Sequence, residues 1–421
     1  MRLNLGERHW LWLIVVAGLV LRVAAVLAFP HVPEGDEQAY LSMASNLVHG
    51  QGIVDFMGNR AMYNVGYPLF LLAPIFQVFG ENLLLVRLLQ VVLGGVSIVL
   101  CHAIAREAGA GRLGRLLAAA LWASYLPAAL YVVYLQKENL LTPLLLAGLW
   151  LALLLARRPS YRLAAACGAV FGLIALTGNA GLALLGAAGL ALLLTPAGLS
   201  QTLRQLALAL ATLLLVAGPW MWRNAEVLGS PVLNTNGGFN LYLGNNPAAT
   251  GMYMSIGDTP RGADWAALRK TGEVAASATL RADALNWIAS HPTDFATLAL
   301  RKAAHFWTPP WHQGRDQPSG AEALVRKVWL VQYLVIVLTA LASLPWLGLR
   351  RPRAGQAGPA GRNLTLLWFA LLAYTAVHMV FYVIYRYREP IMPLVCVLAA
   401  VALEQFVLRR RERPVIQIAS A

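Results

Sequence analysis

The sequence contains few charged residues. Asp, Glu, Lys and Arg make up only 12% of its 421 residues, whereas about a quarter of the residues in a soluble domain are charged. Apolar residues make up 58% of the chain and occur in runs of roughly 20, the length that a helix needs to cross a bilayer. This composition excludes a water-soluble fold and indicates an integral membrane protein.

Cysteine is also scarce. The chain contains only Cys101, Cys167 and Cys396, and all three fall inside predicted membrane spans, which excludes a disulfide framework and a cysteine-based zinc site. The sequence lacks a G-x-G-x-x-G or P-loop motif, so we expect no cofactor. No set of metal ligands is evident in the sequence. A cation bound by the carboxylates of Asp36 and Glu138 stays an alternative.

Acidic residues are fewer than basic ones, with 19 Asp and Glu against 33 Lys and Arg, and the formal net charge is +14. A nucleic-acid-binding surface requires its basic residues on one water-facing patch. In this sequence they are scattered through the short loops between apolar runs. We therefore expect membrane lipids, and no nucleic acid, among the partners of the protein.

The apolar runs predict an all-α polytopic membrane protein with about ten transmembrane helices. The predicted spans are residues 10–29, 83–105, 115–134, 139–156, 162–177, 180–195, 206–222, 326–348, 363–385 and 389–408. The positive-inside rule places the arginine-rich short loops in the cytoplasm. These loops are residues 106–115, 157–162, 350–362 and 409–413. We therefore predict an inner-membrane protein with both termini in the cytoplasm.

This orientation divides the chain into three regions. Residues 1–222 form an N-terminal transmembrane catalytic module that includes the first outer loop, residues 30–82. Residues 223–325 form an extracytoplasmic loop, and residues 326–421 form C-terminal transmembrane helices with a basic cytoplasmic tail. We expect an active site on the extracytoplasmic face, where the two long loops and the turn at residues 136–139 meet.

Several shorter segments of the loops have a predicted structure. Residues 67–80 are apolar but too short to span and are interpreted as a juxtamembrane or re-entrant segment. Residues 264–290 and 293–307 alternate apolar and charged residues at helical spacing, and their aromatic residues, with Trp311 beyond them, suit the headgroup layer. The Gly-, Pro- and Ala-rich residues 353–362 are typical of a flexible linker.

The first outer loop contains two candidate clusters. Asp36, Glu37 and Tyr40 follow the first span, where reduced hydration tunes a carboxylate toward general-base work; the alternative is a solvated helix start with Asp36 as an N-cap or first-turn acid. Tyr63 lies in an aromatic segment at residues 60–68, which would line a sugar or lipid headgroup site or form an aromatic belt without a ligand.

Further candidates lie at the ends of later spans. Lys137 and Glu138 place a cation and an anion in a turn, where they would either serve a site or extend into the headgroups. Arg223 ends a span, and the Asn- and Gly-rich residues 234–247 that follow include Asn236 and Asn240. Their backbone donors suit hydroxyls or phosphate, although a well-capped turn region is an equal alternative.

Arg386 and Arg388 form the strongest binding motif. They connect two apolar helices on the predicted outer face, where short loops disfavour positive charge. Guanidinium groups at a membrane mouth suit bidentate contacts with the phosphate of a lipid carrier.

Together these motifs resemble the GT-C class of membrane glycosyltransferases, and in particular the dolichyl-phosphate-mannose protein mannosyltransferase-like family, which includes the bacterial aminoarabinose transferase for lipid A. The matching stretches are residues 35–52, 63–80 with Arg87, 219–251 and 386–393. The resemblance implies a GT-C-like helical bundle. It also implies an inverting transfer of a hexosyl or pentosyl group from a polyprenyl-phosphate carrier to the hydroxyl of an extracytoplasmic acceptor, which is a cell-envelope glycan, a lipid or a protein.

The resemblance also implies residue roles. Asp36 falls on the general base with Glu37 beside it, Glu138 falls on the family's second outer acid, and residues 386–390 resemble a clamp for the carrier phosphate. The sequence differs from the family's motifs at two places that bear on which substrate is used. Residues 177–179 lack the arginine of the family's Thr-Arg-Pro, and residues 63–67 lack an acid and a lysine that the aminoarabinose transferases carry.

Two other classes stay open. A polyprenyl-linked lipid flippase or transporter also uses intramembrane charges and many helices, but it would be expected to show related halves, and none is found in the sequence. A catalytically inactive scaffold that binds the carrier would keep its role after Asp36→Asn, whereas an enzyme would not.

Overall fold

The computed structural model describes residues 5–193, 198–309, 320–346 and 360–411. Within these ranges the chain is helical, and the one pairing of extended backbone is an isolated bridge between Met252 and Val383. The predicted all-α fold class is confirmed. Trp311, Arg413 and most of the predicted 353–362 linker lie outside the described residues.

The helices follow one another with short connections except in the two long loops. In chain order they are α1 (Leu5–Ala28), α2 (Asp36–Val48), α3 (Ala73–Phe79), α4 (Leu83–Glu107), α5 (Arg112–Ala123), α6 (Leu126–Tyr131), α7 (Glu138–Arg157), α8 (Tyr161–Thr177), α9 (Leu184–Leu193), α10 (Leu199–Leu228), α11 (Asn236–Gly244), α12 (Trp265–Arg269), α13 (Glu273–Ser290), α14 (Pro292–Trp307), α15 (Gly320–Leu341), α16 (Ala360–Val380) and α17 (Met392–Arg411).

Seven of the described helices are long and apolar enough to cross a membrane, so the chain is a multi-pass membrane protein. They lie in α1, α4, α7, α10, α15 and α16 and at residues 385–408. The other three predicted spans are shorter or broken. Residues 115–134 divide into α5 and α6 because Pro127 starts a new helix, α8 has 17 residues, and α9 follows a 3-10 turn at Asn179–Ala183.

Close helix packing in the bundle depends on small residues. Gly168 and Gly172 lie one turn apart on α8, and a Cβ atom at either position would collide with the backbone of α10 or with Val216. Residues four apart lie on the same helix face, and small residues there let two backbones approach without a hydrophobic driving force. This packing brings α8 and α10 together along the bundle.

One end of the bundle carries buried ion pairs. Glu7 of α1 pairs with His102 and Arg115, and Glu107 pairs with Arg157. The long loops lie at the opposite end, which we call the loop end. There α11 packs on α13 through Leu241, Tyr242, Leu280 and Ala284, while α2 packs on the segment at residues 67–76.

Candidate active site

A cavity of about 310 Å³ lies at the loop end, between the first loop and α11 to α13. We call it the first cavity. The polar side chains that line it come from segments far apart in sequence. They include Asp36, Tyr40, Asn59, Tyr63, Lys137, Asn236, Asn240, Glu273, Tyr382 and Arg386. Six of the sequence-predicted candidates in addition to Asp36 are therefore brought together around one space.

The carboxylate of Asp36 accepts a hydrogen bond from Arg386 in this cavity. Asp36 is the first residue of α2, which begins after Gly35 at a φ of 54°, and the positive end of the helix dipole favours a carboxylate there. The two side chains are 30% and 28% exposed. The ion pair is therefore open to a molecule in the cavity.

Tyrosine rings form one wall of the first cavity. Tyr40 lies one turn after Asp36 on α2, and its ring packs edge-on against Tyr63 and Tyr67 at centroid distances of 5.7 and 5.4 Å. Burial, followed by the negative charge of Asp36, raises the pKa of both Tyr40 and Tyr63. Both hydroxyls therefore stay protonated, and the rings offer a neutral surface beside the carboxylate.

A second cavity of about 270 Å³ adjoins the first. Lys137, Asn236, Asn240, Tyr382 and Tyr387 line both. The remaining lining of the second cavity is mostly apolar or aromatic, with Leu141, Ala180, Tyr374, Val377, His378 and Phe381, and it also includes Asn64, Glu138 and Asn179. The arrangement joins a polar compartment to an apolar one through a shared boundary.

Lys137 and Glu138 lie at this boundary. The Lys137 Nζ donates to Asn64 Oδ1 over 3.3 Å, and burial lowers the pKa of Lys137, while the charges of Glu138 and Asp36 oppose that shift. Glu138 starts α7, lines the second cavity and accepts from the Tyr131 hydroxyl over 3.4 Å. The Lys137 amine therefore lies between the two compartments.

Three predicted site residues lie outside both cavities. Glu37 follows Asp36 by about 100° around the helix, so its side chain does not line either cavity. Its carboxylate binds His31 Nε2 at 2.6 Å and accepts from the backbone N–H groups of Glu34 and Leu135. Glu37 therefore fixes the start of α2 to the 134–136 turn.

Arg388 and Arg223 bind backbone carbonyls. Arg388 is buried over the Tyr333 ring at 4.3 Å and donates to the carbonyls of Phe306 and Thr308 at 2.9 and 2.7 Å. Two residues along a 3-10 turn point to different sides, so Arg386 faces the cavity and Arg388 does not. Arg223 donates to the carbonyl of Arg60 over 3.1 Å.

Residues 67–222 match the family model described as dolichyl-phosphate-mannose-protein mannosyltransferase. This segment contains Lys137 and Glu138 but neither Asp36 nor Arg386. No curated protein sequence matches the chain significantly.

Several solved structures resemble the chain along most of its length. The oligosaccharyltransferase of Archaeoglobus fulgidus, tethered with an acceptor peptide, has a TM-score of 0.55 at 14% identity over 96% of this chain and 50% of its own. The AglB of the same organism, in complex with an inhibitory peptide and a dolichol-phosphate, has a TM-score of 0.53 at 12% identity, over 97% and 52%.

The chain spans about half the length of these archaeal proteins. ArnT from Cupriavidus metallidurans has a TM-score of 0.44 at 16% identity, over 95% of this chain and 78% of its own. The chain has the GT-C fold. Its resemblance to the protein mannosyltransferase-like family is confirmed.

The candidate site also contains residues that the sequence did not indicate. Glu273, the first residue of α13, accepts from the backbone N–H groups of Arg60 and Ala61 at 2.8 and 3.1 Å and from the Thr235 hydroxyl at 2.8 Å. It therefore joins the first loop to the long loop above the first cavity. A lone acid at a helix start is too common a pattern to have predicted this role.

Tyr382 is the other residue that the sequence did not indicate. It lines both cavities of the candidate site, and its hydroxyl lies 3.1 Å from the Tyr387 hydroxyl and 3.5 Å from Asn240 Oδ1. Its position four residues before Arg386 was the available signal, since both belong to the connection between α16 and α17.

Proposed function

We propose that the chain is an inverting glycosyltransferase that moves a sugar from a polyprenyl-phosphate carrier to an acceptor hydroxyl. The observation that carries this proposal is the Asp36 and Arg386 pair, which faces a polar cavity joined to an apolar one. A base and a phosphate-binding cation are the two groups that such a transfer requires at adjacent positions.

The first cavity supplies the general base. The acceptor hydroxyl attacks the anomeric carbon on the side opposite the carrier phosphate, its proton passes to a carboxylate oxygen of Asp36, and the bond between the anomeric carbon and the phosphate oxygen breaks. This displacement inverts the anomeric configuration. A positioned base contributes about 10² to 10⁴ in rate.

Arg386 and Lys137 are suited to the leaving phosphate. The Arg386 side chain has five N–H donors, and its buried Nε has no hydrogen-bond partner among the described residues. With Lys137 nearby on the shared boundary, two cations meet the charge that develops on the phosphate oxygens. Fixed charges in a water-poor site are the main source of transition-state stabilisation in such reactions.

The second cavity is suited to the first isoprenoid units of the carrier. Its apolar walls come from α7, α16 and the Asn179–Ala183 turn, all of which belong to the bundle. The AglB structure similar to this chain was solved with a dolichol-phosphate, which supports a lipid-phosphate donor. The side chains of Tyr40, Tyr63, Asn236 and Asn240 would then surround the sugar.

The proposed location is the inner membrane, with the site outside the cytoplasm and both termini inside it. Arg106, Arg115 and Arg157 lie at the bundle end opposite the site, which supports this orientation by the positive-inside rule. A lipid-linked donor is consistent with a site on the side that lacks soluble nucleotide sugars. The acceptor would be an envelope glycan, a lipid or a protein.

The test is sugar transfer from a panel of labelled polyprenyl-phosphate sugars in vesicles that contain the purified protein. Wild type should release carrier phosphate and transfer one sugar, and Asp36→Asn should lower turnover by about 10² to 10⁴ without loss of donor binding. Glu34→Gln, at an exposed acid two residues earlier, is the matched control. Movement of the carrier across the bilayer without transfer would overturn the proposal in favour of a flippase.

A further inference from the structure

An open groove of about 520 Å³ adjoins the first cavity on its outer side. Met57, Asn59, Arg269 and Glu273 line both spaces. None of these four residues lines the second cavity. The first cavity therefore has two separate approaches, one apolar and one through this groove.

Three cationic side chains line the groove, on the first loop and at the end of α12. Arg60, Arg269 and Lys270 are exposed. Among the described residues, none of their side chains makes a hydrogen bond or an ion pair. Their positive charge is therefore available to a ligand.

The one acid that lines the groove leaves it with an excess of positive charge, since three cations line the same space. Glu273 has both carboxylate oxygens bound by the N–H groups of Arg60 and Ala61 and by the Thr235 hydroxyl. Arg223 adds a fourth cation behind the groove, since it donates to the carbonyl of Arg60. An excess of positive charge in one groove favours the binding of an anion.

We propose that this groove binds an anionic group of the acceptor, a phosphate or a carboxylate, so that the acceptor is an acidic glycan or glycolipid. This inference rests on the proposed transfer reaction. The groove opens directly onto the compartment that contains Asp36, so the anionic group lies on the accepting sugar unit or the next one. Guanidinium and ammonium groups bind both anions by charge-assisted hydrogen bonds.

The test uses two labelled acceptor glycans that differ only in one phosphate monoester, and a second pair that differs only in glucuronate against glucose. The protein is reconstituted in phosphatidylcholine vesicles. Wild type should use each anionic member with a kcat/KM about 10-fold higher than the neutral member. Arg60→Ala with Lys270→Ala should remove most of this preference and leave donor affinity unchanged, because neither residue lines either cavity.

The matched control is Arg281→Ala. Arg281 is an exposed arginine of α13 that does not line the groove, so this variant should keep the preference for the anionic acceptor. High salt should weaken the use of the anionic members alone. Equal use of charged and neutral acceptors by wild type, or an equal effect of the groove and control variants, would overturn the inference.

Two further arms separate the alternatives. Equilibrium dialysis of the phosphorylated and neutral glycans measures binding without turnover, so a wild type that turns over no donor but still prefers the phosphorylated glycan would refute the transferase and keep the groove. Vesicles with phosphatidylglycerol test lipid headgroups. If the groove variants change turnover of a neutral acceptor only in those vesicles, the groove binds membrane lipid and the inference is wrong.

Discussion

The guanidinium of Arg386 donates to the carboxylate of Asp36 although the two residues are 350 positions apart. The pair connects the start of α2 in the first loop to the 3-10 turn before α17. Each charge compensates the other, and a phosphate that binds Arg386 would compete with Asp36 for its N–H groups. In the proposed reaction, donor binding therefore frees the Asp36 carboxylate to accept a proton.

Replacement of Arg386 should therefore affect both donor binding and the transfer step. Arg386→Gln should raise the KM for the donor and lower kcat by about 10² to 10³, because the transition-state charge loses its main partner. Arg386→Lys should recover part of kcat, since a lysine keeps the charge but not the fork geometry. Steady-state kinetics with one labelled donor measure both values.

Arg261→Gln is the matched control for this series. Arg261 pairs with Asp264 and Asp283 on the long loop and lines neither cavity. Its loss should leave both constants within about twofold of wild type, as expected of a surface ion pair. Equal effects of Arg261→Gln and Arg386→Gln would show that Arg386 acts only through stability.

Glu37→Gln should separate the two adjacent acids. The carboxylate of Glu37 is buried and is bound by His31 and two backbone N–H groups. We therefore expect the variant to lose about 1–3 kcal/mol of stability. Turnover per folded molecule should fall much less than in Asp36→Asn. Thermal unfolding in detergent and turnover on the same samples give both values; a loss of turnover equal to that of Asp36→Asn would make Glu37 a catalytic residue.

The sequence predicted the helical class and many helix ends because those depend on local chemistry. The break at residues 291–292 is confirmed, since α13 ends at Ser290 and α14 begins at Pro292. The predicted span at 115–134 is two helices because Pro127 removes a backbone donor and restricts the preceding residue. A mean hydropathy taken over many residues does not detect that break, so residues 115–134 appeared to be one continuous apolar run.

The candidate site was partly predictable for the same reason. Asp36, Lys137 and Arg386 stand at the ends of apolar runs, where polar residues are unusual, and the structure places all three around one cavity. The orientation of Glu37 and Arg388 was not predictable, because it depends on helical register at a turn. Glu273 acts through backbone groups of the first loop, and no local pattern encodes such a partner.

Glu273→Gln should loosen the connection between the two loops. One oxygen of the present carboxylate accepts from Arg60 N–H and the other from Ala61 N–H and Thr235, and the neutral amide replaces one acceptor oxygen with a donor. We expect faster amide hydrogen exchange at residues 55–63 and an acceptor KM raised several-fold, with donor affinity retained. Glu226→Gln changes an exposed acid that accepts a hydrogen bond from Trp222, and this variant should change neither.

Val377→Trp should block the second cavity. Val377 lines that cavity, and an indole there occupies the space proposed for the carrier. We expect donors with long polyprenyl chains to lose affinity by about 10-fold or more, whereas a donor with a very short chain should lose less. Ala376→Trp places the same ring at the exposed neighbouring position, and equal inhibition by both variants would contradict this assignment of the carrier site.

Lys302 of α14 is a buried amine without a carboxylate partner among the described residues. Its Nζ donates to Asn245 Oδ1 over 2.9 Å, and Asn245 Nδ2 in turn donates to the carbonyls of Leu241 and Val380. Burial lowers the pKa of Lys302 to about 7. The folded protein therefore favours the neutral amine, whereas the unfolded chain keeps its usual pKa near 10.5.

Between those two pKa values the unfolded chain binds a proton that the folded chain does not, so the free energy of unfolding increases as pH rises above 7. Lys302 alone should raise the unfolding temperature of wild type by roughly 1–2 °C per pH unit between pH 7 and 9. Lys302→Met keeps the apolar stem and should remove this slope, while Lys270→Met, at an exposed lysine, should keep it. Parallel pH profiles for wild type and Lys302→Met would show that Lys302 is charged in the folded protein.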